Sequence, residues 1–131
     1  MRRAVARGPR DEPPLAPPLS AQWRLPGDLG RRYAAISGDR NPIHMHDLPA
    51  KLLGFPRTIA HGMWTKARCL AALQNRLSDA FAVEARFRRP VLLPSTVTFG
   101  SAEDEDDGAI RFAVRAARDG APHLDGRISP R

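Results

Sequence analysis

The hydrophobic period of this chain changes near residue 80, and no other feature restricts its fold as strongly. Beyond that point apolar residues alternate with polar ones. "FAVEARFRRP" sets Val83, Ala85 and Phe87 against Glu84, Arg86 and Arg88, and "STVTFG" sets Val97 and Phe99 against Thr96 and Thr98. "AIRFAVRAA" places Ile110, Phe112, Val114 and Ala116 on one face with Arg111 and Arg115 opposite, and "HLDGRI" adds Leu124 and Ile128. A two-residue period predicts strands with one covered and one wet face. "EDEDDG" and "RDGAP" carry the turn chemistry that joins them as antiparallel hairpins.

Before residue 80 the period is helical. In 57–80 the residues Met63, Ala67, Leu70, Leu73 and Leu77 recur at three- and four-residue steps, and Trp64, Cys69 and Ala71 leave little polar surface. This predicts one long helix, apolar on most sides and largely buried, with Gly62 at its start. "PGDLGRRYAAIS" predicts a short helix with Leu29, Tyr33 and Ile36 on its inner face and Asp28 at its N-terminal end. "LPAKLLGF" predicts a further one- to two-turn helix stopped by Gly54, with Asp47 as its cap. A strand near "SAQWRLP" opens the domain. The class is α+β, and the simplest architecture wraps a curled antiparallel sheet around the long buried helix, the hot-dog arrangement.

The chain has 131 residues, enough for one domain with a real core. Residues 1–19 hold five prolines and little periodicity, so they are expected to be a disordered tail ahead of a domain spanning 20–131. The single cysteine, Cys69, excludes an internal disulfide framework and a cysteine-based zinc cage, and fits a reducing, cytoplasmic setting. It sits in a helix interior and reads as inert packing. No apolar run approaches the roughly 20 residues of a membrane span. The net charge is +7, with Arg2, Arg3, Arg7 and Arg10 in the first ten residues. No aromatics interleave with these arginines, so nucleic acid is not the expected partner, whereas an acidic carrier or phosphorylated ligand is compatible. Arg86, Arg88 and Arg89 read as a solvated strand face.

The chemistry concentrates in "SGDRNPIH", residues 37–44. Alone, this is a polar turn with an Asx hydrogen bond. An aspartate and a histidine on one stiff loop can also hold a water between them, the carboxylate accepting and the imidazole, whose ordinary pKa lies near neutrality, taking a proton. Asn41 can orient that pair, Ser37 can hydrogen-bond within the loop, and Pro42 restricts the backbone. The spacing His44-x-His46 invites a metal reading with Asp39 and His61.

The run 33–69, "YAAISGDRNPIHMHDLPAKLLGFPRTIAHGMWTKARC", resembles the hydratase signature of the MaoC-like acyl-thioester dehydratases. "RFRRPVLLPSTVTF" resembles that family's first sheet strands. More narrowly, the chain resembles the C-terminal half of actinobacterial dehydratases with two hot-dog units, and the first unit is expected to be absent. The resemblance implies (R)-specific hydration of trans-2-enoyl thioesters, or the reverse dehydration, as a hydro-lyase of fatty-acid or related acyl metabolism. It implies Asp39 and His44 as the catalytic pair and the Gly62 N–H as donor to the thioester oxygen. His61 reads first as fixing the turn before Gly62, and His61 and Met63 are also candidate substrate contacts. It implies no metal and no cofactor beyond the CoA or acyl carrier protein that carries the substrate. Expected partners are the thioester and a second hot-dog unit, as a homodimer or with another chain. The tail is expected to be dispensable. Rival readings are a hot-dog thioesterase and a non-catalytic subunit completing a partner's tunnel.

Overall fold

The structure is a computed structural model that describes residues 19–131. The expected tail therefore lies outside the described residues, except for Leu19. Strand β1 spans Leu19–Leu25 and helix α1 Leu29–Ser37. A 3-10 turn, Pro42–His44, precedes the short helix α2, Asp47–Leu52. Helix α3 spans Gly62–Leu73, and a 3-10 turn over Gln74–Arg76 extends it. Strands β2 (Phe81–Phe87), β3 (Ser95–Glu103), β4 (Ile110–Ala116) and β5 (Pro122–Pro130) follow. The five strands form one antiparallel sheet in the order β1-β3-β4-β5-β2, so β1 and β2 are its edges.

The alternation works as expected in the sheet centre. Val97, Phe99, Ile110, Phe112, Val114, Leu124 and Ile128 are buried and form one core with Cys69 and Leu73 of α3. Trp23 of β1 stacks on Phe99 at 4.9 Å, and the Arg68 guanidinium covers the Trp23 ring at 4.1 Å. This is the hot-dog arrangement of sheet against helix. The turn between β3 and β4 closes with Asp104 accepting from Gly108 N–H, and Gly108 has φ 72°. Arg127 of β5 binds both Asp104 and Asp107, tying that turn to the sheet.

Three expectations need correction. The helix starts at Gly62 as expected but ends at Leu73, short of residue 80. Residues 58–60 are extended because their main chain is engaged by tertiary hydrogen bonds: Ala60 N–H to Val91, and Leu93 N–H to Thr58. Nor is α3 sheathed. Only Thr65, Cys69 and Leu73 are buried, while Met63 is 57% exposed and Ala67 faces solvent. One sheet covers one stripe of a helix, at four-residue spacing, and leaves the rest open. In α1 the buried residues are Leu29, Gly30 and Ala34, and Ile36 is 87% exposed. The helix is rotated so that Gly30, not a larger side chain, meets the neighbouring loop.

Gly126 of β5 shows how tightly the sheet face is filled. It lies between Phe112 of β4 and Ala85 of β2 in register. A Cβ there would fall 2.3 Å from Phe112 Cζ and 2.8 Å from the Glu84 carbonyl oxygen. Gly126→Ala is therefore expected to lower the unfolding free energy by about 1–3 kcal/mol, as overpacking does. Urea denaturation of the two proteins measures it, and an unchanged midpoint would contradict this packing.

Candidate active site

The loop after α1 is shaped by its own side chains. Gly38 ends the helix in the left-handed region (φ 81°), its N–H bonded to the Ala34 carbonyl. Three local bonds then repeat at two-residue steps. Ser37 Oγ accepts from Asp39 N–H at 3.1 Å, Asp39 Oδ1 from Asn41 N–H at 3.2 Å, and Asn41 Oδ1 from Ile43 N–H at 3.3 Å. Pro42 at the first position of the 3-10 turn needs no N–H acceptor. This is why Ser, Asp and Asn alternate here: each short polar side chain replaces a missing backbone partner.

The His44 end of the loop is pinned to the body. Ile59 N–H donates to the Ile43 carbonyl at 3.1 Å, and His44 Nδ1–H donates to the Ile59 carbonyl at 2.8 Å. Arg31 donates to the Met45 carbonyl at 2.8 Å. Gly30 of α1 lies directly on the loop, where a Cβ would fall 1.7 Å from the His44 carbonyl oxygen. Asp47 does not cap α2. It is the first helical residue, and its Oδ1 accepts from Thr58 N–H at 2.9 Å, tying α2 to the extended segment.

These ties bring Asp39, His44 and His61 together. One carboxylate oxygen and one nitrogen from each ring all lie within 4.8 Å of one another. His61 is 2% exposed, with its ring stacked on His44 (centroids 3.9 Å, 23° between planes) and Tyr33 edge-on at 4.7 Å. His61 Nε2 faces the Asp39 main-chain carbonyl at 2.9 Å and the Asp39 carboxylate at 3.9 Å. The Asp39 side chain is 55% exposed, so the cluster opens to solvent.

A carbonyl only accepts, so each ring nitrogen facing one carries the proton. That makes His44 the Nδ1–H tautomer and leaves its Nε2 lone pair free. Burial holds the His44 pKa below the ordinary imidazole value, the Ile59 carbonyl partly opposes this, the neighbouring His61 adds to it, and Asp39 opposes it least. A neutral imidazole with a free Nε2 beside a carboxylate is the arrangement of a general base and a water-holding acceptor. The same groups do not make a finished metal cage. His61 Nε2 and His44 Nδ1 are both committed to carbonyls, leaving the Asp39 carboxylate, His44 Nε2 and the buried His61 Nδ1 as donors, short of the four ligands of a closed tetrahedral centre. His46, the residue the spacing had suggested, is exposed at the start of α2 and outside the cluster.

Gly62 follows His61 as the first residue of α3, where a backbone N–H has no intrahelical acceptor and the helix dipole is positive. A Cβ there would lie 2.9 Å from Phe87 Cε1, so the glycine also makes room for the edge-strand ring. Met63, the next residue, is 57% exposed. Reasoning from sequence left three neighbours out of the site. Tyr33 read as the inner face of a helix and Phe87 as a strand face, and Gly30 had no reading, although a glycine inside a helical run is a signal of close approach. Cys69, as expected, is fully buried, with burial raising its thiol to about 12.

The profile of the MaoC like domain matches residues 11–118. The chain belongs to this family. It is 43% identical over 120 residues to 3-hydroxyacyl-thioester dehydratase X of Mycobacterium tuberculosis, an alignment covering 92% of this chain and 42% of that protein. The crystal structure of HtdX from Mycobacterium tuberculosis superposes with a TM-score of 0.80 at 43% identity, covering 92% of this chain and 48% of that one. The unliganded R-hydratase PhaJ1 from Pseudomonas aeruginosa superposes with a TM-score of 0.65 at 27% identity, covering 88% and 81%. The chain thus spans less than half the length of the mycobacterial relative.

His44 should titrate below 6.5, the ordinary value, when its ring signals are followed by NMR against pH. The sign for stability follows. A histidine with a depressed folded pKa lends stability that is complete above its unfolded value and is lost as pH falls through the folded value. Stability should therefore decline on acidification below about 6.5, and His44→Gln should flatten that decline. An unaltered slope would contradict it.

Proposed function

We propose that this domain adds water across trans-2-enoyl thioesters to give (R)-3-hydroxyacyl thioesters, and catalyses the reverse dehydration. The observation that carries this reading is the Asp39–His44 pair, a carboxylate oxygen and an imidazole nitrogen within 4.8 Å of each other on a ring whose Nε2 is free. One water fits between two such groups. Asp39 accepts a hydrogen bond from it, and His44 Nε2 takes its proton as the oxygen attacks Cβ. The electron pair of the double bond moves through Cα onto the thioester oxygen, where the Gly62 N–H at the start of α3 meets the developing charge. The proton then goes to Cα, so H and OH have been added across the bond and nothing is oxidised or reduced. The (R) configuration and the thioester carrier, CoA or acyl carrier protein, come from the family resemblance. The hydratase and dehydratase names of the relatives support the reading.

The domain acts as a pair of hot-dog units, and a second copy is the favoured partner. The β2 edge is open, with Phe81 and Phe87 exposed at its two ends, and Leu48, Leu52 and Leu53 are exposed on and after α2. An antiparallel edge can pair with its own copy about a two-fold axis, which would remove a template for aggregation. Light scattering at micromolar concentration should give the mass of a dimer, and a monodisperse, fully active monomer would refute the pairing.

Asp39→Asn and His44→Ala are each expected to reduce hydration of crotonyl-CoA by at least ~100-fold, the usual contribution of such groups, with the fold intact. Loss of the conjugated thioester absorbance measures it. Near-normal turnover in either folded variant would remove that residue from the mechanism. Release of free thiol by the unaltered protein, in place of hydration, would favour the thioesterase reading.

A further inference from the structure

His61 is the one buried residue of the cluster, at 2% exposed. Its Nε2–H goes to a main-chain carbonyl, and its Nδ1 is buried with no partner. It therefore does not hold the attacking water. Burying an imidazole with one bare nitrogen is also unfavourable. A leucine would fill the same volume without that cost, but it could not donate to Asp39.

That donation has no substitute. The bonds within 37–43 are local, each spanning two residues, and they shape the loop without fastening Asp39 to the body. The His44 side is fastened through Ile59 and through its contact with Gly30. Among the described residues 39–41, the hydrogen bond that reaches the rest of the molecule is His61 Nε2–H to the Asp39 carbonyl, across 22 residues. The same ring lies flat on His44 at 3.9 Å and is backed edge-on by Tyr33. One buried ring thus touches both members of the acid/base pair.

We propose that His61 is a positioning residue, holding Asp39 by its main-chain carbonyl and His44 by its ring face at the separation one water can bridge. This deepens the hydratase reading and rests on it. It extends the expectation that His61 fixes the turn before Gly62, giving the ring a partner in the Asp39 loop, and sets aside the alternative that it contacts substrate.

Two variants separate the donor from the bulk of the ring. In His61→Gln the side-chain amide can place an N–H where Nε2–H stands. In His61→Phe the ring and its stacking remain and the donor is lost. With thermal unfolding confirming that each is folded, His61→Phe should lose roughly 10- to 100-fold in kcat, the penalty of misplacing a reacting group by about 1 Å, with KM little changed. His61→Gln should recover most of that loss. Normal kcat in His61→Phe, or equal losses in both variants, would overturn the proposal. If His61→Phe does not fold, His61→Met, also without a donor, takes its place under the same criteria. Should the unaltered protein not hydrate enoyl thioesters at all, the hydratase reading fails, and NMR relaxation of the Asp39–Asn41 backbone amides still decides the positional claim. Added mobility there in His61→Phe but not in His61→Gln supports it, and equal mobility in the two variants refutes it.

Discussion

The main chain from Thr58 to His61 is hydrogen-bonded on both sides, and the polar end of the molecule is assembled around it. Toward the sheet it bonds Val91 and Leu93, and Ile59 bridges Leu92. Toward the loop, Ile59 takes the backbone of Ile43 and the ring of His44, and Thr58 takes the Asp47 carboxylate. Its last residue delivers His61 beneath Asp39, and the next begins α3. A four-residue strut therefore sets the distance between the sheet, the acid/base loop and the helix N-terminus. Such a strut is held by hydrogen bonds between main-chain groups, which leave little slack in position. Two of its side chains, Ile59 and Ala60, are also buried apolar groups, so the strut is fixed by packing as well as by polar contacts.

Much of this was legible in the sequence because the signals are local. The two-residue alternation of Val97 and Phe99, or of Ile110, Phe112 and Val114, is a property of neighbouring residues and needs no knowledge of the fold. The Ser37–Asp39–Asn41 spacing is likewise local, and it forms the loop that the residue types suggest. The C-terminal end of α3 was not legible, because Leu77 keeps the helical spacing beyond Leu73, where the helix stops. Nor was the strut itself, since its backbone is engaged by partners some 30 residues away, and composition does not record such partners. The inner face of α1 was misread for the same reason. Ile36 is the better apolar residue, but the close approach of the His44 carbonyl selects the face bearing Gly30. His61 was underweighted because its importance lies in which carbonyl it meets, a purely tertiary fact.

The glycines of the site and sheet share a logic that differs from that of the turn glycines. Gly38 and Gly108 are required by their backbone angle. Gly30, Gly62 and Gly126 have ordinary angles, and what they supply is missing volume. Into those spaces come the His44 carbonyl, the Phe87 ring and the Phe112 ring. The molecule thus uses absent methyl groups to bring a loop, an edge strand and a core ring closer than any other residue would permit.

The bond from Asn41 N–H to Asp39 Oδ1 has a stereochemical consequence. A carboxylate free to rotate presents two interchangeable oxygens, and a ligand can meet either. Here one oxygen is tethered to the loop, so the two are no longer equivalent, and Oδ2 lies on the His61 side, 3.9 Å from its Nε2. The aspartate has become a handed group. Whatever it orients is approached from one direction only, and a planar reactant laid before it would have its two faces distinguished by the loop's own backbone before any pocket wall is considered.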